Sequence, residues 1–81
     1  MLRTVALIAF AVTLSSCTKD SEVYTLYRNS VANEHMRIHV ATFDAQGGHD
    51  YNMGNCNIAR DLFADQRGVT VRYWCERGRI K

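Results

Sequence analysis

The side chains able to do chemistry in this chain are few and scattered. Three cysteines (Cys17, Cys56, Cys75) and three histidines (His35, His39, His49) are the candidates for nucleophilic or metal chemistry. A zinc site needs three or four converging ligands. On a strand, His35 and His39 would lie about 13 Å apart at roughly 3.3 Å per residue, too far to share one ion. His49 and Asp50 share a glycine loop and could hold a cation only weakly. Glu34, Asp44 and Asp50 form no recognisable acid–base spacing. Ser30 has no neighbouring base in any known nucleophile pattern, and no glycine-rich phosphate loop is present. The sequence therefore assigns no catalytic residue, no metal ligand and no cofactor. The remaining reactive group is the Cys17 thiol, and its surroundings are more informative.

Cys17 follows an apolar run, Val5 to Leu14, behind a start that carries one positive residue, Arg3. The run is ten residues, whereas a helix spanning a bilayer needs about 20. Ten fits the apolar region of a secretory signal. Two small residues, Ser15 and Ser16, then lead into Cys17, with no ordinary A-x-A cleavage site. Small residues let the backbone enter a peptidase site in extended form, and the thiol can be alkylated. Leu14-Ser15-Ser16-Cys17 behind this leader resembles the lipobox of bacterial lipoprotein precursors. The resemblance implies cleavage before Cys17, a diacylglyceryl group on its sulfur and an acyl group on the new amine. Two or more chains give stable anchoring, at about 0.8 kcal/mol per buried methylene. In many such proteins an aspartate after the lipidated cysteine signals inner-membrane retention. Thr18 stands there instead, so the resemblance implies the periplasmic face of the outer membrane.

Removing residues 1–16 leaves 65 of the 81 residues, one small domain at most. A domain of this size buries only about 60% of the surface its unfolded chain exposes, and is marginal without staples. Losing Arg3 lowers the formal net charge from +2 to +1. A near-neutral body argues against nucleic-acid binding through phosphate contacts. If Cys17 carries the lipid, Cys56 and Cys75 remain as one pair, and in an oxidising compartment they form a disulfide. Closing that loop is worth about 3 kcal/mol in the chain-entropy model. The alternative is two free core thiols; a C-x-x-C redox spacing is missing.

The elements that must carry these residues read as β-β-α-β. Residues 17–22 read as a lipidated polar tether, and 23–81 as the domain. Val23–Arg28 is rich in β-branched and aromatic residues and reads as a strand. Met36–Phe43 reads as a second strand, with Ile38 and Val40 alternating against Arg37 and His39. The Gly47-Gly48 loop precedes a helix for which Asp50, Asn52 and Asn55 are all candidate N-caps. Cys56, Ala59, Leu62 and Phe63 share its apolar face, Asn57, Arg60, Asp61 and Asp65 face solvent, and Gly68 suits a C′ position with positive φ. Val69–Cys75 reads as a third strand. A bond to the helix turns Cys75 inward with Val71 and Tyr73, and turns Trp74 away. Residues 76–81 read as a charged tail of low order.

The expected fold is α+β: a three-stranded sheet with one helix on one face, stapled by Cys56–Cys75. The body is similar to small uncharacterised lipoproteins of proteobacteria, on Tyr24-Thr25-Leu26-Tyr27-Arg28-Asn29-Ser30, Arg37-Ile38-His39-Val40-Ala41-Thr42-Phe43-Asp44, Tyr51-Asn52, Asn55-Cys56 and Tyr73-Trp74-Cys75-Glu76. That resemblance implies no particular activity. The sheet face left uncovered by the helix would present Trp74, Arg72, Thr70, Arg37, His39 and Phe43. Tryptophan and arginine are enriched at interface hot spots. The expected role is a non-catalytic interaction module, held at the membrane by its lipid and engaging an envelope protein. The competing expectation, from size and location, is a protective inhibitor of the immunity, entry-exclusion or lysozyme-inhibitor type.

Overall fold

The computed structural model describes residues 18–80, so Cys17 and the leader lie outside the described residues. Three strands and one helix follow in the expected order: β1 (Tyr24–Arg28), β2 (Ile38–Phe43), α1 (His49–Ala64) and β3 (Tyr73–Arg77). The sheet order is β2-β1-β3, and both neighbours run antiparallel to β1. β1 takes the centre because it has something to bury on each side. Leu26 is fully buried on the helix side, and Tyr27 is 2% exposed on the other. Val23 and Cys56 complete a very small apolar core. Cys56 and Cys75 are disulfide-bonded with Cα atoms 6.2 Å apart, inside the normal range for an unstretched bridge.

The bridge fixes which face each strand residue takes. Cys75 pairs with Leu26 across the sheet and turns toward α1, while Trp74 pairs with Tyr27 and turns away. Phe63 stacks on Tyr73 at 5.4 Å and closes the far end of the helix–sheet contact.

Several boundaries differ from the sequence expectation. β3 starts at Tyr73, not Val69, and runs through Glu76 and Arg77. Its start is set by its partner, because Arg28 ends β1 opposite Tyr73. Beyond that pair Asn29 takes over: its side-chain oxygen accepts from the Arg72 N–H at 2.8 Å, and its own N–H donates to the Arg72 carbonyl. Val71 therefore precedes the strand and is half-buried outside the core. β2 is interrupted by a bulge: Leu26 pairs with Ala41 but Tyr27 pairs with His39, leaving Val40 as the extra residue. The simple alternation of Ile38 and Val40 stops there.

α1 starts earlier than any of the three suggested caps. Gly48 stands at the N-cap with φ +97°, a conformation that side-chain-bearing residues rarely adopt. Asn52 instead points inward, 1% exposed. It accepts from the Ala45 N–H and donates to the Glu22 and Ala45 carbonyls, tying the N-terminal turn to the glycine loop. Leu62 is 67% exposed rather than inward. At 3.6 residues per turn it lies about 120° around the helix from Cys56, whereas Phe63 lies close to the Cys56 direction. Gly68 has the expected positive φ of 84°, but three residues past the C-cap Asp65.

Both ends of the described segment are folded into the domain. Residues Asp20–Glu22, read as tether, form one 3-10 turn. The segment read as a loose tail is bonded through Gly78, whose N–H donates to the Val23 carbonyl and whose carbonyl accepts from the Thr25 hydroxyl at 2.6 Å.

Candidate functional site

The sheet face opposite α1 gathers the aromatic and basic residues singled out from sequence. Tyr27 and Trp74 lie on neighbouring strands with ring centroids 6.1 Å apart and planes inclined at 27°. The Arg37 guanidinium sits 4.5 Å over the Tyr27 ring, and that of Arg72 sits 5.3 Å from the Trp74 centroid. Glu76 joins the far side: the Trp74 indole N–H donates to its carboxylate at 2.8 Å, and Arg37 Nε lies 3.6 Å from the same oxygen. Arg37 also donates to the Tyr27 hydroxyl at 3.1 Å. That hydrogen bond, with the Glu76 charge second, holds the Arg37 guanidinium above its ordinary pKa. His39 lies on the same face, paired with Tyr27, its ring 2.8 Å from the Thr42 hydroxyl.

The result is a row, Arg72–Trp74–Tyr27–Arg37, in which a cation caps each end of a stacked ring pair. The two end contacts use the attraction of a cation for the negative face of an aromatic ring, and the middle one is ring on ring. Two expected members are missing. Phe43 pairs with Tyr24, on the helix side of β2, and Thr70 precedes β3 and belongs to no strand.

The opposite side has a different character. Between α1 and β2 runs an open groove of about 480 Å³, with Thr42, Phe43, Tyr51, Ile58, Ala59 and Leu62 on its walls. Tyr51, Ile58 and Leu62 are 57%, 59% and 67% exposed, and Asp44 and Ala45 also line the groove. Periodicity could have shown this stripe, since 51, 58 and 62 fall on one side of a 3.6-residue helix. The same helix also offers Cys56, Ala59 and Phe63, and the two stripes overlap at Ala59.

The histidines do not converge. His35 sits 3.7 Å from its neighbour Glu34 on an exposed turn. His49 has an arrangement no spacing could reveal: Nδ1 is 2.8 Å from Asp50 Oδ1, and Nε2 is 2.7 Å from the Tyr24 hydroxyl. With a neutral ring, both contacts are satisfied by a proton on Nδ1 donated to Asp50 and a hydroxyl proton donated to Nε2. The connectivity is that of a hydroxyl–imidazole–carboxylate relay, but Asp50 is an exposed neighbour and Tyr24 is not among the residues lining the groove between α1 and β2. The contact fastens the start of α1 to β1. Among the described residues, no group of three or more His, Cys, Asp or Glu could hold a metal ion.

The third feature is a corner where the two ends of the described segment meet. The Thr18 hydroxyl donates to the Asp44 carbonyl at 2.7 Å. Arg79 donates to the Thr18 carbonyl at 3.2 Å, and to the Asp20 and Asp44 carboxylates at 3.0 and 3.2 Å. Asp44 first and Asp20 second hold the Arg79 guanidinium above its ordinary pKa. Sequence pattern carries no signal for this clamp, because its members are 26 to 61 residues apart. No family model, curated protein or solved structure matches this chain.

Proposed function

We propose that the chain is a lipid-anchored protein of the bacterial cell envelope, held through Cys17 at the periplasmic face of the outer membrane. Its folded domain acts there as a non-catalytic interaction module and engages an envelope protein through Trp74, Arg72, Arg37 and His39. The observation that carries this reading is the sheet face itself, where a tryptophan and two arginines are held in place by neighbours while remaining partly open to solvent. Side chains held in place lose less rotamer freedom on binding, so more of the contact energy appears as affinity. The Cys56–Cys75 bridge supports an oxidising compartment. Among the described residues no helix is long and apolar enough to cross a membrane.

Two measurements test the proposal. Cells are labelled with a radioactive fatty acid, and wild type is compared with Cys17→Ala in membrane fractions. Label and membrane retention in wild type alone are expected, and an unlabelled wild type would end the anchor reading. Crosslinked partners are then recovered on wild type and on Trp74→Ala. Loss of a specific partner is expected, and equal recovery would remove this face from the proposal.

A further inference from the structure

We propose that the outer face of α1 lies on the bilayer surface, so that the domain is oriented by its fold as well as held by its anchor. The inference rests on the lipid-anchor reading and adds the surface that meets the lipid. Its starting point is the missing slack at the chain start. Thr18 is fixed to the domain by Asp44 and Arg79, and consecutive Cα atoms are about 3.8 Å apart. A lipid on Cys17 therefore brings the Thr18–Asp44–Arg79 corner against the headgroups.

The corner is continuous with the groove, because Asp44, whose carbonyl receives the Thr18 hydroxyl, also lines it. From there the exposed stripe Tyr51, Ile58 and Leu62 runs along α1 for about 17 Å, at 1.5 Å per residue. Exposed apolar side chains along one side of a helix, with a tyrosine at the end nearer the anchored corner, are groups that the interfacial region of a bilayer can cover. The charges beside the stripe decide which lipid suits it. Asp50, Asp61 and Asp65 are exposed; Asp61 is held by Arg60 at 2.9 Å and Asp50 by His49 at 2.8 Å. An acidic border gains nothing from anionic headgroups, so the face fits a zwitterionic bilayer.

The molecule contains its own control. Its one tryptophan, Trp74, lies across the sheet from α1 and should stay away from lipid. The full-length gene is expressed and the purified protein is reconstituted into phosphatidylcholine–phosphatidylethanolamine vesicles with brominated acyl chains, which quench tryptophan on contact. Wild type is compared with Leu62→Trp and with Ile58→Trp, each in a Trp74→Phe background, so that one poorly folded variant does not decide the result. The helix tryptophans are expected to lose about half of their emission or more, since interfacial apolar faces sit ~5–10 Å into the headgroup boundary. Trp74 is expected to be little affected, and added phosphatidylglycerol to give no gain. Intact mass on the same samples reads the acyl groups on Cys17. An acylated protein with unquenched helix tryptophans overturns the orientation and leaves the anchor standing; absence of acyl mass overturns both. Quenching of Trp74 instead turns the sheet face to the lipid and overturns the inference. Blue-shifted but unquenched helix tryptophans in a dimer assign the stripe to a second copy, which also overturns it.

Discussion

The two faces of this domain solve the problem of exposed aromatic and apolar side chains in opposite ways. On the sheet side, Tyr27 is 2% exposed although no secondary-structure element covers it. Trp74 and Arg37 are its cover, and Glu76 holds both of them. On the helix side, Ile58 and Leu62 are 59% and 67% exposed, with nothing of the domain laid across them. The first surface is held together by its own residues and presents charge and ring faces to solvent. The second offers apolar area that water meets directly, and it gains by being covered from outside. A small domain cannot bury every apolar group, so which side it leaves open is informative. The open side adjoins the corner where Thr18 is fixed.

Both faces depend on one staple, and cutting it should have the largest effect. Cys75 lies in β3 between Trp74 and Glu76 but turns to Cys56 on α1. The sequence separation is 19, so Cys75→Ser should cost about 3 kcal/mol in chain entropy. Denaturant unfolding followed by Trp74 fluorescence and by helix ellipticity should show both signals moving to a lower midpoint together. If Trp74 kept its wild-type midpoint while the helix melted early, the sheet face would be stable alone, and the two regions would not share a support.

The next effect sharpens the contrast within α1 itself. Asn52 is on its inner side, with its amide nitrogen given to two carbonyls and its oxygen to the Ala45 N–H. Asn52→Asp replaces that donor with an acceptor facing those carbonyls, at a cost of about 2–3 kcal/mol for a buried group left without partners. The unfolding midpoint should fall toward that of the disulfide variant. An unchanged midpoint would mean that the amide is not what fastens the glycine loop to the N-terminal turn.

How much of this could be read from sequence follows from what kind of signal each residue carries. Cys56, Cys75 and Trp74 were legible together: a bond to the helix fixes the inward side of β3, and period 2 then turns Trp74 outward. The β-β-α-β order was legible from composition and turn residues. The β3 register was not, because Val69-Thr70-Val71 has strand composition but no partner beyond Arg28. The Val40 bulge depends on pairing with β1, which no local pattern encodes. Asn52, Arg79 and the Tyr24–His49–Asp50 contact were hidden for a common reason. A polar side chain announces neither its depth nor a partner 25 or more residues away. Leu62 was misplaced by the opposite difficulty, two apolar stripes on one helix with a residue in common.

The smallest effect is the most direct test of the comparison, because it sets one truncation on each face side by side. Trp74→Ala removes the ring stacked on Tyr27 and the surface beneath Arg72. An aromatic pair is worth about 0.5–1.5 kcal/mol beyond its buried area, and an exposed cation–π contact about 0.5–1. The loss should therefore be about 1–2 kcal/mol, read from the midpoint of a thermal melt. Leu62→Ser removes a side chain that contributes little to the core, and should stay within about 0.5 kcal/mol of wild type. The serine variant should also be less prone to self-association, since it shortens the exposed stripe. Equal losses in the two variants would mean that Leu62 is supporting the fold from outside the core. The helix side would then be a second packed surface, and the contrast between a finished face and an open one would fail.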